Sequence, residues 1–195
     1  VLTKSVEKVV IRSHARLTYD EVNDMLDGIS QVPGFFSEPL IALDNVAKKL
    51  RQQRKKVGAI LLTSRETVFK HRKDGRLASI SEVTRGWSNH LIEECMLAAN
   101  LAVGSLMNEK GIPLIYRCHE APDAEKVARL NDFVKAKGLS LPLNPTPNDL
   151  QSVLDAYVGD SDYNAVEMMI LRTLSQAYYS HDGDYHYALS MKHYT

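Results

Sequence analysis

Hydrophobic and polar positions alternate along the first part of the chain, and the pattern then changes to a helical period. Residues 6–17, VEKVVIRSHARL, place apolar side chains at alternating positions, which predicts a β-strand. Thr18 and Glu21 follow with the spacing of a capping box, and Gly28 ends the helical pattern. The sequence therefore predicts a strand that leads directly into a short helix.

A second helix is predicted to open at residues 37–39, Ser-Glu-Pro, a typical helix start. Leu43, Val46 and Leu50 recur at helical spacing, so we expect them to form its buried apolar stripe. Residues 58–82 are then rich in strand-forming side chains, with GAILL first and ETVFKH next. The Asp-Gly pair at 74–75 predicts a hairpin turn within this β-meander.

The second half of the chain is dominated by helical patterns. Ser88 is predicted to cap the longest helix, residues 89–110, which Gly111 ends. Further predictions follow the chain order: a strand at 113–118, a helix at 123–137 closed by Gly138, a Pro-rich connector with Asn148 as a cap, and helices at 150–158 and 165–179. The sum predicts an α+β fold in which a mixed sheet is packed by several helices.

Length and charge narrow the class of protein. The 195 residues suffice for one large domain, and 24 basic residues balance 24 acidic ones, so no overall charge attracts nucleic acid or anionic lipid. No segment predicts a signal peptide or a membrane span, which indicates a soluble, cytoplasmic protein without a membrane partner. Cys95 and Cys118 lack metal-site spacing and are interpreted as reduced core thiols.

A basic run at residues 48–56, KKLRQQRKK, is the first candidate for binding. Such a positive helix face could follow a phosphate backbone. A solvated outer helix face explains the same residues, and we favour that interpretation.

Glu93 and Asn100 stand out on the longest predicted helix. They are seven residues apart and share a face of an otherwise apolar helix, where a carboxylate needs a partner or a ligand.

The histidines lack the spacing of a zinc hydrolase, and no phosphate-binding loop or short-spaced aspartate cluster is present. The acidic segment DGD, residues 182–184, is interpreted as a turn. The residues alone predict an α+β domain with a possible nucleic-acid role.

Four strings give a more specific indication. They are SHARLTYDEV, HLIEECMLAANLAVGSLM, IYRCHEAPDAEKVARLNDFVKAKGL, and MILRTLSQAYY with HYALSMKHYT after it. Together they resemble the catalytic RNB domain of the ribonuclease II and ribonuclease R family, and they are more similar to ribonuclease R. The resemblance covers almost all of the chain, and residues 1–195 are identified as the central portion of one such domain, with both of its ends lying outside.

The resemblance implies a processive 3′-to-5′ exoribonuclease that hydrolyses single-stranded RNA to nucleoside 5′-monophosphates. It implies Mg²⁺ or Mn²⁺ as cofactor, held by aspartates that precede this segment, and an arginine facing the scissile phosphate that follows it. No catalytic or metal-binding residue is therefore expected within these 195 residues, and the segment alone is expected to be inactive. The complete protein is expected to be a monomer.

What the resemblance assigns to this segment is substrate selection. Tyr19 matches the tyrosine that closes the family's ARLTY string, and Glu93 matches the first glutamate of its IEE string. The resemblance associates this pair with distinguishing RNA from DNA. Arg16 and Asn100 are weaker candidates for substrate binding, and His14 is expected to pack or to position Tyr19.

Two alternatives remain open. One is a non-catalytic RNA-binding or scaffold module that retains the RNB architecture. The other is a protein-interaction domain that binds no RNA.

Overall fold

Helices supply most of the regular structure in this computed structural model, which describes residues 3–63, 65–183 and 185–195. The helices are α1 (Tyr19–Leu26), α2 (Gly34–Lys56), α3 (Trp87–Glu109), α4 (Ala124–Val134), α5 (Pro147–Ala156) and α6 (Tyr163–Thr173). The strands are β1 (Arg65–His71), β2 (Leu77–Thr84), β3 (Tyr116–Cys118), β4 (Tyr178–Ser180), β5 (Tyr185–His186) and β6 (Met191–Lys192). The predicted α+β class is confirmed.

The strands of the described residues pair as three antiparallel ribbons, β1 with β2, β3 with β4, and β5 with β6. A single parallel bridge between His119 and His186 links the chain after β3 to β5. The predicted turn at Asp74-Gly75 is confirmed, because it connects β1 to β2. Asp184, in the predicted DGD turn, lies outside the described residues.

The chain divides into two compact units. The larger unit comprises residues 1–4, 50–62 and 96–195, and the smaller unit comprises residues 5–49 and 63–95. Helices α2 and α3 each contribute residues to both units.

The larger unit has an apolar core built by α4, α5 and α6 and by the segments before and after them. Its buried members are Ile60, Leu130, Val134, Leu141, Leu150, Val153, Leu154, Tyr157, Val166, Ile170 and Tyr187. Helix α4 starts where Asp123 accepts hydrogen bonds from two amides, and α5 starts where Thr146 and Asp149 form a capping box. Burial of apolar area at about 25 cal/mol per Å² is the main stabilising contribution here.

The strand predicted at residues 6–17 is absent. Residues 3–18 form no regular strand, and residues 5–18 are all exposed, including the large apolar side chains of Val9, Val10 and Ile11. A strand is stable only when a neighbour completes its hydrogen-bond ladder, and no described strand pairs with this segment. The alternating pattern was therefore not sufficient to form a strand.

The apolar stripe predicted on α2 is also wrong. Leu43 and Val46 are 39% and 50% exposed, whereas Asp44, Ala47 and Arg54 are buried. The helix begins at Gly34, before the predicted start. The buried face of the helix therefore carries charged groups.

Several predicted boundaries differ from the structure. Helix α3 begins at Trp87, so Ser88 lies inside it and does not cap it. Thr146, not Asn148, caps α5. The last predicted helix ends at Thr173, because residues 178–180 pair with β3.

The predicted GAILL strand, residues 58–62, is replaced by an irregular segment without a ladder. Individual partners satisfy its buried amides: Ile60 N–H donates to the carbonyl of Ala188 (2.9 Å), and Leu61 N–H donates to Oε1 of Gln151 (2.7 Å).

Both cysteines are free thiols, with Cys118 buried and Cys95 half-buried. Among the described helices, none has the length and apolar character that crossing a bilayer requires.

Candidate nucleic-acid interface

Tyr19 is held at the first position of α1 by the capping box that precedes it. The backbone N–H of Glu21 donates to Oγ1 of Thr18 (3.3 Å), and the backbone N–H of Thr18 donates to Oε2 of Glu21 (2.6 Å). The bonds from Thr18 lower the pKa of the Glu21 carboxyl below its usual range. With the backbone fixed in this way, the Tyr19 side chain remains 49% exposed and free to meet a ligand.

A buried serine joins Tyr19 to the first turn of α3. Ser88 is 1% exposed, its Oγ donates to the backbone carbonyl of Tyr19 (2.9 Å), and its N–H donates to Oδ1 of Asn23 (2.9 Å). Gly86 makes this contact possible, because a Cβ at that position would overlap the Asn23 side chain. Helix α1 is therefore fastened to the start of α3 at two points.

Glu93 lies on α3 shortly after this contact. Five residues separate it from Ser88, which corresponds to about 7.5 Å along the helix axis. Its carboxylate is 37% exposed, and Oε2 lies 3.0 Å from Nδ1 of His90. Tyr19 and Glu93 thus belong to the same unit, on two helices joined by Ser88. Convergence of their side chains on one ribose remains a prediction.

Asn100 and Arg16 have different environments. The amide of Asn100 donates to the hydroxyl of Tyr194 (3.1 Å), a buried residue, so that Asn100 fastens the last residues of the larger unit to α3. The predicted role of Asn100 in substrate binding stays a prediction. Arg16 is exposed in the irregular segment before Thr18, and His14 is exposed in the same segment. Their predicted roles in binding and positioning stay predictions.

Sequence reasoning missed a polar cluster on the buried face of α2. Nε1 of Trp87 donates to Oδ1 of Asp44 (2.5 Å), and Nζ of Lys48 donates to Oδ2 of the same carboxylate (2.7 Å). Lys48 also lies 5.8 Å from the centroid of the Trp87 ring. The spacing of Asp44 and Lys48, four residues apart, was the available signal for this pair.

The interpretation of the basic run 48–56 as a solvated outer helix face is only partly correct. Arg54 is buried, and Lys55 forms a 2.9 Å ion pair with Asp155. Burial would raise the pKa of Asp155, but the hydrogen bonds from Lys55 and Gln151 outweigh it and lower that pKa. Several of these cations therefore serve the fold, which weakens the phosphate-binding interpretation of this run.

The described residues contain no group of three or more His, Cys, Asp or Glu side chains arranged to hold a metal ion.

The model of the RNB domain matches residues 1–195, which is the whole chain. The chain belongs to the RNB-domain family. Among curated relatives of this RNB chain, ribonuclease R of Vibrio parahaemolyticus is 34% identical, with 96% of this chain and 23% of the relative covered. Ribonuclease R of Thermotoga maritima is 30% identical, and the match covers 100% of this chain and 28% of that relative. The chain thus spans about a quarter of the length of the curated relatives it matches.

Solved structures agree with this assignment. Mycoplasma genitalium RNase R in complex with ribose-methylated single-stranded RNA superposes with a TM-score of 0.83 at 26% identity, covering 91% of this chain and 28% of that one. Yeast Ssd1, described as a pseudonuclease, has a TM-score of 0.62 at 16% identity, covering 90% of this chain and 22% of that one. The second likeness shows the fold alone.

Proposed function

We propose that this RNB chain is the central portion of the catalytic domain of a 3′-to-5′ exoribonuclease, where it forms part of the RNA channel wall and recognises ribose. The family match over the whole chain supports the enzyme class, and a solved relative binds ribose-methylated single-stranded RNA. The observation that carries the role of this segment is the hydrogen bond from Ser88 to Tyr19, which fixes α1 beside the helix of Glu93.

Ribose recognition in this proposal depends on two complementary groups. The Glu93 carboxylate accepts a hydrogen bond from the 2′-hydroxyl, and the Tyr19 phenol donates one to it. Deoxyribose offers neither contact, so a DNA strand forms neither of these hydrogen bonds. A hydrogen bond to a charged group contributes about 1.5–3 kcal/mol, which corresponds to roughly a tenfold to hundredfold preference for RNA.

In this proposal, the groups that carry out the hydrolysis itself lie outside these 195 residues. When bound, Mg²⁺ or Mn²⁺ supplies activation of the attacking water and stabilisation of the leaving oxygen. Its aspartate ligands and the arginine at the scissile phosphate belong to neighbouring parts of the polypeptide. Because these groups are missing from it, the isolated segment is inactive in this proposal. The proposal also includes that the complete enzyme is a cytoplasmic monomer and that it releases nucleoside 5′-monophosphates.

The test is the substitution Glu93→Ala in a complete polypeptide that contains this chain. The expected result is that the ratio of RNA to DNA cleavage rates falls about tenfold or more, while RNA cleavage falls less. Glu109→Ala is the matched control, because Glu109 is an exposed glutamate on the same helix that pairs with Lys4. A Glu93→Ala enzyme that still leaves DNA uncut would remove Glu93 from ribose recognition.

A non-catalytic RNA-binding module is the second candidate, since the same fold occurs in a pseudonuclease. The complete polypeptide distinguishes the two in one assay with labelled oligoadenylate and Mg²⁺ or Mn²⁺. Release of nucleoside monophosphates supports the enzyme, and binding without release supports the module. Failure to bind homopolymer RNA at all would favour a protein-interaction domain.

A further inference from the structure

The hairpin of β1 and β2 ends in a cluster of four cations, Lys70, Arg72, Lys73 and Arg76, which we name the basic tip. The backbone N–H of Arg72 donates to the carbonyl of Arg76 (2.7 Å) and closes a three-residue loop. Gly75 occupies the left-handed position of this loop with φ +81°. The geometry of the turn thus brings the four cations together at the end of one ribbon.

The basic tip carries a net positive charge. Residues 70–76 carry four cations and one acid, a net charge of +3 (4 − 1) in a chain whose total is zero. Oδ1 of Asp74 accepts a hydrogen bond from the backbone N–H of Arg76 (3.1 Å), so this carboxylate is committed to the turn. All seven residues are exposed, and the part of the chain that the structure describes contains no ion pair with these cations.

Three apolar side chains lie on one face of the ribbon next to the basic tip. The register places Phe69 opposite Ile80 and His71 opposite Leu77, and side chains that are paired across two strands lie on the same face. Phe69, Ile80 and Leu77 are 56%, 59% and 48% exposed. The hairpin therefore presents an uncovered aromatic and aliphatic surface directly beside its basic tip.

We propose that this hairpin is an RNA-contacting arm, in which the basic tip binds backbone phosphates and the face of Phe69 packs against bases. The inference rests on the proposed function, because it takes the RNA strand of that function as its ligand. A cluster of unpaired Lys and Arg beside an exposed aromatic ring matches the two contacts that single strands offer, phosphate charge and base faces. A purely apolar protein partner would leave the cations without compensation.

The phosphate contacts can be measured with the 195-residue chain and a fluorescent single-stranded oligoadenylate at several salt concentrations. The test variant is Arg72→Gln/Lys73→Gln/Arg76→Gln. The control removes the same charge from exposed residues elsewhere, as Lys110→Gln/Lys126→Gln/Lys192→Gln. Each lost phosphate contact lowers the salt slope by about 0.7, so the test variant is expected to lose about 2 in slope and at least tenfold in affinity at low salt, with the control unchanged.

The base contacts are measured by Phe69→Ala. This variant is expected to lose roughly tenfold in affinity for oligoadenylate and nothing for an abasic strand of equal length, because only the former offers a base for stacking. All variants change exposed side chains, and circular dichroism verifies that they are folded.

The outcomes separate this inference from the proposed function. A chain that binds RNA but is unaffected by either hairpin variant overturns the inference and leaves the proposed function standing. An unmodified 195-residue chain that binds no RNA overturns the inference, while cleavage of RNA by the complete polypeptide decides the proposed function. If the hairpin variants abolish only self-association in sedimentation velocity, the hairpin is a protein interface and the inference is wrong.

Discussion

The imidazole rings of His119 and His186 stack with their centroids 5.0 Å apart and their planes inclined by 19°. Both residues are buried in the larger unit. Nε2 of His119 lies 2.7 Å from the carbonyl of Ser175 and carries the proton, while its Nδ1 accepts a hydrogen bond from the backbone of Ala188 (3.3 Å). This arrangement fits neutral rings, since two adjacent imidazolium ions would repel each other without water to screen them.

Acid is therefore expected to destabilise the larger unit. Burial lowers the pKa of His186 to about 4, with further contributions from His119 and Arg117, and burial also lowers the pKa of His119. In the unfolded chain both histidines titrate near pH 6.5, so below that pH the unfolded state binds protons that the folded state excludes. The free energy of unfolding is therefore expected to fall as the pH is lowered from 7 to 5, with His186 making the larger contribution.

Urea unfolding at pH 7, 6 and 5 measures this effect. His186→Gln is expected to flatten the dependence, whereas His181→Gln, which changes an exposed histidine, leaves it unaltered. A free energy of unfolding that stays constant from pH 7 to pH 5 in the unmodified chain would contradict the neutral buried pair.

Gly104 is expected to tolerate no side chain. A Cβ at this position of α3 would overlap the carbonyl oxygen of His193, a backbone atom that cannot rotate away. Although alanine is the better helix former, Gly104→Ala is predicted to lower the free energy of unfolding by about 1–3 kcal/mol. Gly34→Ala is the control, because Gly34 begins α2 and a Cβ added there would meet no other atom within 4 Å.

Equilibrium unfolding in urea compares the two alanine variants. The expected order of stability is Gly34→Ala at or above the unmodified chain and Gly104→Ala below it. Equal stability of the two variants would show that the C-terminal residues do not pack on α3 as described.

Local signals in the sequence predicted local structure well. The capping box at Thr18 and the Asp-Gly turn at residue 74 depend on contacts within a few residues, and both are confirmed. The strand at 6–17 failed because a strand depends on a distant neighbour that periodicity does not specify. The stripe on α2 failed for a related reason, since burial of Asp44 depends on Trp87, 43 residues away.

The candidate site was accessible to sequence reasoning only in part. Glu93 stood out as a carboxylate on an otherwise apolar helix, but Tyr19, and the pairing of the two residues on a ribose, came only from their match to family strings. Ser88 was interpreted as a helix cap, since serine before a helical pattern usually has that role. Its actual partner, the carbonyl of Tyr19, is 69 residues away and only the fold reveals it.

Ser88 is therefore the residue through which the placement of Tyr19 can be tested without changing Tyr19 itself. Ser88→Ala removes the donor to the Tyr19 carbonyl and should cost about 1 kcal/mol of stability. If the bond positions the phenol for ribose, the same substitution lowers the RNA-over-DNA binding ratio of the chain. Ser105→Ala is the matched control, because Oγ of Ser105 donates to a carbonyl within α3 itself, that of Leu101 (2.7 Å). If the Ser88→Ala chain loses stability but keeps its RNA-over-DNA binding ratio, Ser88 serves the fold alone. The anchoring of α1 would then be independent of ribose recognition.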